Sequence, residues 1–197
     1  MELRGYAGKI LIVDLSDRTF QEVSSEPYVD RFVGGRGLAV KLFWDLVPAD
    51  ADAFDPRNAL ICATGPVTGF TGLAGCRWVI GAKSPARDPQ MFSYGNLGGR
   101  WGISLKGSGY DALAVTGRSE RPVTLFIHDG AVEFRDASSL WGTTAFEAQD
   151  ALTAELGKHT SVLTIGLVYL AGRRFFSPSS WGLCSTSFLQ RQARCPN

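Results

Sequence analysis

Glycine sets the strongest limit on what this chain can fold into. Of the 45 residues from 65 to 109, 11 are glycine. That density weakens regular helices and strands through backbone entropy, and it lets main chain come close to main chain or to a ligand. The middle third therefore reads as loop-rich, and it is the place to look for a bound molecule. Two glycine–arginine clusters stand out, Gly34-Gly35-Arg36-Gly37 and Asn96-Leu97-Gly98-Gly99-Arg100-Trp101-Gly102. Neither follows the G-x-G-x-x-G or the G-x-x-x-x-G-K-[ST] spacing, so dinucleotide and P-loop readings fail. Two readings stay open for each cluster. One is a tight turn in a packed domain. The other is a cradle for an anionic ligand, in which exposed N–H groups approach, guanidinium forks bind phosphate and an amide reads a ring edge.

The flanking segments supply the scaffold. Residues 9–15, a turn at Ser16-Asp17-Arg18 and Thr19–Ser24 predict a β-hairpin. Glu26–Phe32 and residues 38–47 have apolar residues at helical spacing, while residues 59–64 and 77–82 read as short buried strands. Residues 110–116, 123–128 and 132–135 predict three strands joined by turns at Gly117-Arg118-Ser119 and Asp129-Gly130. Thr144 and Glu147 form a capping box for a helix ending near Gly157, with Ala145, Ala148, Leu152 and Leu156 on one face, and residues 161–165 add a strand. Hairpins with helices inserted between them predict an α+β fold with mixed or antiparallel sheets, not a doubly wound parallel sheet.

Charge and cysteine usage exclude more than they suggest. A net charge of +1 argues against nucleic acid, an anionic membrane or a highly charged substrate as partner. No stretch approaches the ~18 apolar residues of a membrane span, and the expected location is the cytoplasm. Cys62, Cys76, Cys184 and Cys195 match no C-x-x-C metal spacing and no dense disulfide framework, and His128 and His159 are too few for a zinc site. His128 is expected to be a turn residue, and Lys83 a solvated charge at a strand end. Arg77 opens a strand expected to be buried, where an arginine needs a partner: a carboxylate of this chain or a ligand phosphate. No nucleophile–base pair or carboxylate pair can be assembled from the spacing, so no catalytic residue is predicted.

In order along the chain, Gly5-Tyr6 with its hairpin, Phe32-Val33-Gly34-Gly35-Arg36-Gly37-Leu38-Ala39, Ala63-Thr64-Gly65-Pro66-Val67-Thr68-Gly69, Lys83-Ser84-Pro85 and Asp136-Ala137-Ser138-Ser139-Leu140-Trp141-Gly142 resemble the start of aldehyde ferredoxin oxidoreductases. The resemblance covers residues 5–166. It implies the first part of an internally duplicated α+β domain that binds a tungsten bis-pterin cofactor (tungstopterin), with Arg77, Asn96 and Gly98 as cofactor-binding residues. It further implies that pterin dithiolene sulfurs, not protein side chains, hold the metal. The reaction implied is oxidation of a small aldehyde to an acid, with electrons passing through a [4Fe–4S] cluster to ferredoxin. The family's cluster cysteines, second pterin loop and substrate pocket come from later segments that find no match here, so the isolated chain is expected to be inactive. A stand-alone pterin-binding or cofactor-delivery module, or a non-functional remnant, is the alternative.

Composition breaks at Gly166. All 19 acidic residues precede it, whereas the last 31 residues hold Arg173, Arg174, Arg191 and Arg194 and no acid. Residues 1–166 are thus expected to be an incomplete N-terminal domain. Residues 167–197 are expected to be an aberrant basic tail, frameshifted or disordered.

Overall fold

The structure, a computed structural model, describes residues 5–86, 88–128, 130–165 and 184–189. Six strands form one mixed sheet: β1 (Lys9–Asp14), β2 (Thr19–Ser24), β3 (Leu60–Thr64), β4 (Trp78–Ser84), β5 (Met91–Leu97) and β6 (Ala112–Thr116), in the order β2-β1-β6-β3-β4-β5. β1 and β6 run parallel, and the other four neighbouring pairs are antiparallel. The α+β fold expected from the sequence is the fold observed.

Alternation in β6 shows how the two faces were divided. Ala112 and Ala114 face one side and Leu113 and Val115 the other, all four buried. On the alanine side the small side chains admit a helix, α2 (Gly35–Leu46), which buries Leu38, Ala39 and Leu42 against Ile10, Ile61 and Val79. A shorter helix, α1 (Glu26–Phe32), leads into it. The leucine side packs Leu11, Val13 and Cys62 against Trp101 and Leu105 of α3 (Trp101–Gly107) and against Val123, Leu125 and Ile127 of β7 (Val123–His128). Each fully buried leucine or isoleucine in these layers contributes roughly 2 kcal/mol.

β7 belongs to a second sheet, with β8 (Ala131–Asp136), β9 (Thr160–Leu163) and β10 (Cys184–Leu189), in the order β8-β7-β10-β9. The expected capping box is present at the start of α4 (Ala145–Leu156), where Thr144 Oγ1 accepts from the Glu147 N–H and Glu147 accepts from the Thr144 N–H at 2.7 Å. Ala148 and Leu152 are buried as the pattern predicts. β7 and β8 form the expected hairpin, although Asp129 of its turn lies outside the described residues. β6 and β7, by contrast, are not a hairpin: β6 is occupied on both edges by β1 and β3. Of the tail, the backbone of β10 is described, parallel to β7 and antiparallel to β9. The rest of the expectation for residues 167–197 lies outside the described residues. Among the described residues no helix is long and apolar enough to cross a membrane.

The middle third departs from the loop-rich expectation by holding β5 and α3. Several of its glycines make room for rings: a Cβ on Gly81 would lie 2.6 Å from the Phe92 ring, and one on Gly102 would lie 2.7 Å from the Trp78 indole. Here small residues allow aromatic packing to replace propensity.

At the far edge of the sheet, Glu22 Oε1 accepts from the buried Tyr110 hydroxyl at 2.6 Å, and Glu22 Oε2 accepts from Lys9 Nζ at 2.6 Å. The Lys9 ammonium first, then the Tyr110 hydroxyl, hold the Glu22 carboxyl below its usual range. A carboxyl lowered on folding stabilises the fold fully above its unfolded value of about 4.3 and loses that contribution as pH falls through the lower folded value. Glu22→Gln should therefore show a shallower loss of stability than the parent between pH 6 and pH 3. Urea unfolding at the two pH values checks this, and equal slopes would sink it.

Candidate cofactor site

One end of the large sheet gathers most of the sequence motifs. Asp111, immediately before β6 and 1% exposed, accepts hydrogen bonds from Ala7 N at 2.9 Å, Gly8 N at 2.8 Å and Ser25 Oγ at 2.7 Å. Its carbonyl accepts from both the N–H and the hydroxyl of Thr64. Three segments, at Ala7-Gly8, Ser25 and Thr64, are thus tied to one residue. The sequence reading missed Asp111, yet its signal was there: a lone carboxylate at the head of an apolar strand can be buried only where donors surround it.

Beside this junction the chain turns sharply from α1 into α2. Val33 has a φ of +61°, a strained value for a β-branched residue, and its carbonyl accepts from the Tyr6 hydroxyl at 2.6 Å. Gly34 must be glycine, because a Cβ there would stand 2.9 Å from the Thr64 carbonyl oxygen. Lys106 of α3 donates to the Gly65 carbonyl and lies 5.7 Å from the Tyr6 ring centre. Burial lowers its ammonium pKa, against the opposing pull of Asp111. The Gly5-Tyr6, Val33-Gly34 and Thr64-Gly65-Pro66 motifs are therefore one packed unit, and they pin the loop that follows Gly65. Along that loop Thr68 Oγ1 accepts from the Gly65 N–H and donates to the Arg77 carbonyl at 2.9 Å.

The loop ends at the β4–β5 hairpin, which brings Arg77, Asn96 and Gly98 together. Trp78 pairs with Leu97 and Val79 with Asn96, so one step further along the register sets Arg77 across from Gly98. Trp78 Nε1 donates to the Gly98 carbonyl at 3.1 Å and fixes the turn beyond β5. Arg77, Asn96, Gly98, Gly99 and Arg100 are all exposed. This corrects the expectation of a buried Arg77: β4 begins at Trp78, and the arginine stays in water at its mouth. Among the described residues the guanidinium groups of Arg77 and Arg100 have no carboxylate partner, unlike Arg57 on Asp50 and Asp55 or Arg135 on Glu133 and Glu155. Of the two readings left open for Arg77, a carboxylate partner is not found among the described residues.

The other candidates are structural. Lys83 donates to the carbonyls of Ala49 and Ala51, and its own backbone is clasped by Asn58, so it is tied down and not a solvated charge. His128 ends β7, with Nε2 2.9 Å from Glu133 Oε1 and its ring 4.4 Å from that of Phe126. Cys62 is a buried core residue, and Cys76 is partly exposed near Gly98. Among the described residues no three His, Cys, Asp or Glu side chains are grouped to hold a metal ion.

Similarity to known proteins falls on the same region. The profile of the aldehyde ferredoxin oxidoreductase N-terminal domain matches residues 10–175. The tungsten-containing aldehyde ferredoxin oxidoreductase of Pyrococcus abyssi is 40% identical over 164 residues, which is 82% of this chain and 27% of that protein. The aliphatic sulfonate oxidoreductase, WOR-like subunit, of Pyrococcus furiosus is 37% identical over 155 residues, covering 77% of this chain and 24% of that one. Among solved structures, the active site complex BamBC of benzoyl coenzyme A reductase with 1,5-dienoyl-CoA superposes with a TM-score of 0.78 at 34% identity, over 83% of this chain and 25% of its own. The chain spans about a quarter of the length of these relatives. Sequence motifs, sheet and profile agree over the same stretch, and the chain belongs to the aldehyde ferredoxin oxidoreductase family of oxidoreductases, matching its N-terminal domain.

Proposed function

We propose that this chain binds the pyranopterin of a tungsten cofactor at the mouth of the β4–β5 hairpin, through Arg77, Asn96 and Gly98. The observation behind this reading is the convergence of those three exposed groups on one hairpin end, beside arginines with no carboxylate partner among the described residues. They fit such a group chemically. A guanidinium fork suits phosphate, and an amide can both donate to and accept from a ring edge. A Cβ built on Gly99 would meet nothing within 4 Å, so the backbone there faces open space. When bound, the tungsten pterin supplies two-electron redox chemistry. This chain's own residues hold and orient it.

In the full enzyme this domain serves the oxidation of an aldehyde to its acid, with electrons leaving through a [4Fe–4S] cluster to ferredoxin in the cytoplasm. Remaining parts of the enzyme supply cluster ligands and substrate pocket, so the 197-residue chain alone gives no aldehyde-dependent dye reduction. The names of the relatives and the family match support this reading. Its test is binding of a fluorescent phosphorylated pterin to the purified chain. Arg77→Gln should weaken binding by about tenfold, the loss of one charge-assisted hydrogen bond worth about 1.5 kcal/mol, and Asn96→Ala by a few-fold. Wild-type affinity in both variants would overturn the assignment.

A further inference from the structure

A second arginine reaches the same face of the sheet. Arg36 projects from the first turn of α2, where a Cβ on neighbouring Gly35 would lie 4.0 Å from Val79 Cγ2, and Val79 is the cross-strand partner of Asn96. This turn therefore lies over the Asn96 end of the hairpin. The Arg36 guanidinium carbon is 5.0 Å from the Tyr94 ring centre, and its NH1 donates to the Tyr94 hydroxyl. Tyr94 stacks on Phe92 with ring centres 6.4 Å apart, and Phe92 meets Phe43 of α2 at 4.9 Å. The result is a ladder that begins under α2, runs along β5 and ends in an exposed guanidinium.

Phe92, Tyr94 and Asn96 alternate along β5 and share one face, so Tyr94 and Asn96 lie about 7 Å apart along the strand. The protein engages one of the five N–H donors of Arg36 among the described residues, and no carboxylate there pairs with it. A solvated surface arginine gains only a little from such a support. An arginine meant for an anion gains more: fixing the fork in advance lowers the entropy lost on binding, and a planar fork matches phosphate oxygens.

We propose that Arg36, oriented by Tyr94, is a second anion-binding guanidinium of this site, and that with Arg77 it brackets the phosphate of a ligand whose ring is read by Asn96. The proposal rests on the reading of the site given under the proposed function. The ligand class is a phosphate-bearing heterocycle.

Two fluorescent probes separate the claims: 6-hydroxymethylpterin and its monophosphate, titrated into the 197-residue chain. Arg36→Gln should bind the phosphorylated probe about tenfold more weakly and the phosphate-free probe within twofold of wild type. Tyr94→Phe keeps the ring ladder and loses the hydroxyl anchor, so it should fall between, at about threefold for the phosphorylated probe alone. Equal weakening toward both probes would mean that Arg36 shapes the site and does not touch phosphate, and the proposal would be wrong. Unchanged binding in Arg36→Gln alongside weakened binding in Arg77→Gln would also overturn it while leaving the site reading intact. If neither probe binds the wild-type chain, or if Arg77→Gln, Asn96→Ala and Arg36→Gln all bind like wild type, the site reading fails and this proposal fails with it.

Discussion

Asp111→Ala is expected to lower the unfolding midpoint by roughly 6–12 °C, the largest effect of any single change outside the hydrophobic layers. The carboxylate accepts three hydrogen bonds, from Ala7 N, Gly8 N and Ser25 Oγ, in a place water does not reach. Alanine leaves all three donors without an acceptor. Each buried orphan costs about 1–3 kcal/mol, partly relieved by relaxation of the N-terminal segment, so about 3 kcal/mol is a reasonable sum. For a chain of this size 1 kcal/mol corresponds to about 2–4 °C. Ser25→Ala removes one donor and leaves two bonds intact, and it should cost only about 1 kcal/mol. Thermal melts followed by circular dichroism compare the variants. If Asp111→Ala melts with the parent, the carboxylate is not the fastener described here.

Gly102→Ala tests the coupling of core to site. In an exposed helix this change would stabilise by about 1 kcal/mol. In α3 the new methyl would sit 2.7–2.9 Å from Cβ, Cγ and Cδ1 of Trp78, whose indole already packs, tilted by 33°, with its ring centre 4.4 Å from that of Trp101. Overpacking of that kind costs about 1–3 kcal/mol, enough to outweigh the propensity gain. The displaced indole also releases the Gly98 carbonyl, so pterin binding should weaken together with stability. Trp78→Phe separates the two effects: it keeps a ring in the layer, removes the N–H donor, and should loosen binding more than it loosens the fold. A Gly102→Ala chain as stable as the parent, with unchanged binding, would show that Trp78 moves aside freely.

Where pattern and burial coincide, the sequence is readable. The β1–β2 hairpin and the Thr144 capping box follow from spacing alone because local chemistry decides them. β5 and α3 escaped for a physical reason. Met91–Leu97 is an edge strand, largely exposed and interrupted by Gly95, and thus lacks the alternation that marks a half-buried strand. Trp101–Gly107 has two glycines in seven residues and would not form a helix in isolation. Burial of Trp101 and Leu105 against the sheet overrides that weakness. For the site, it was the family resemblance that pointed to Arg77, Asn96 and Gly98, while their residue types alone left tight turns open; the register sets the three at one hairpin end. The exposure of Arg77 was not legible, because one residue decides whether a strand begins at 77 or 78. Arg36 was legible only as part of a glycine-rich turn; its aromatic support comes from a strand 58 positions away.

The place of β6 in the large sheet sets an order of events for a growing chain. β1 and β2 can zip as they emerge, and β3, β4 and β5 can fold as a meander of neighbours, since each pairing joins segments close in sequence. These two pieces cannot become one sheet until Ala112–Thr116 is made and inserted between β1 and β3, bridging pairings such as Ile10 with Ala112 and Ala63 with Ala112 that are distant in sequence. Until then both pieces present an open edge, the condition under which strands find wrong partners. Asp111 arrives just ahead of that last strand, and its three acceptor contacts latch the N-terminal segment as the gap closes. The expected slow step of this domain is therefore the threading of one central strand, a long-range closure of the kind that delays folding most.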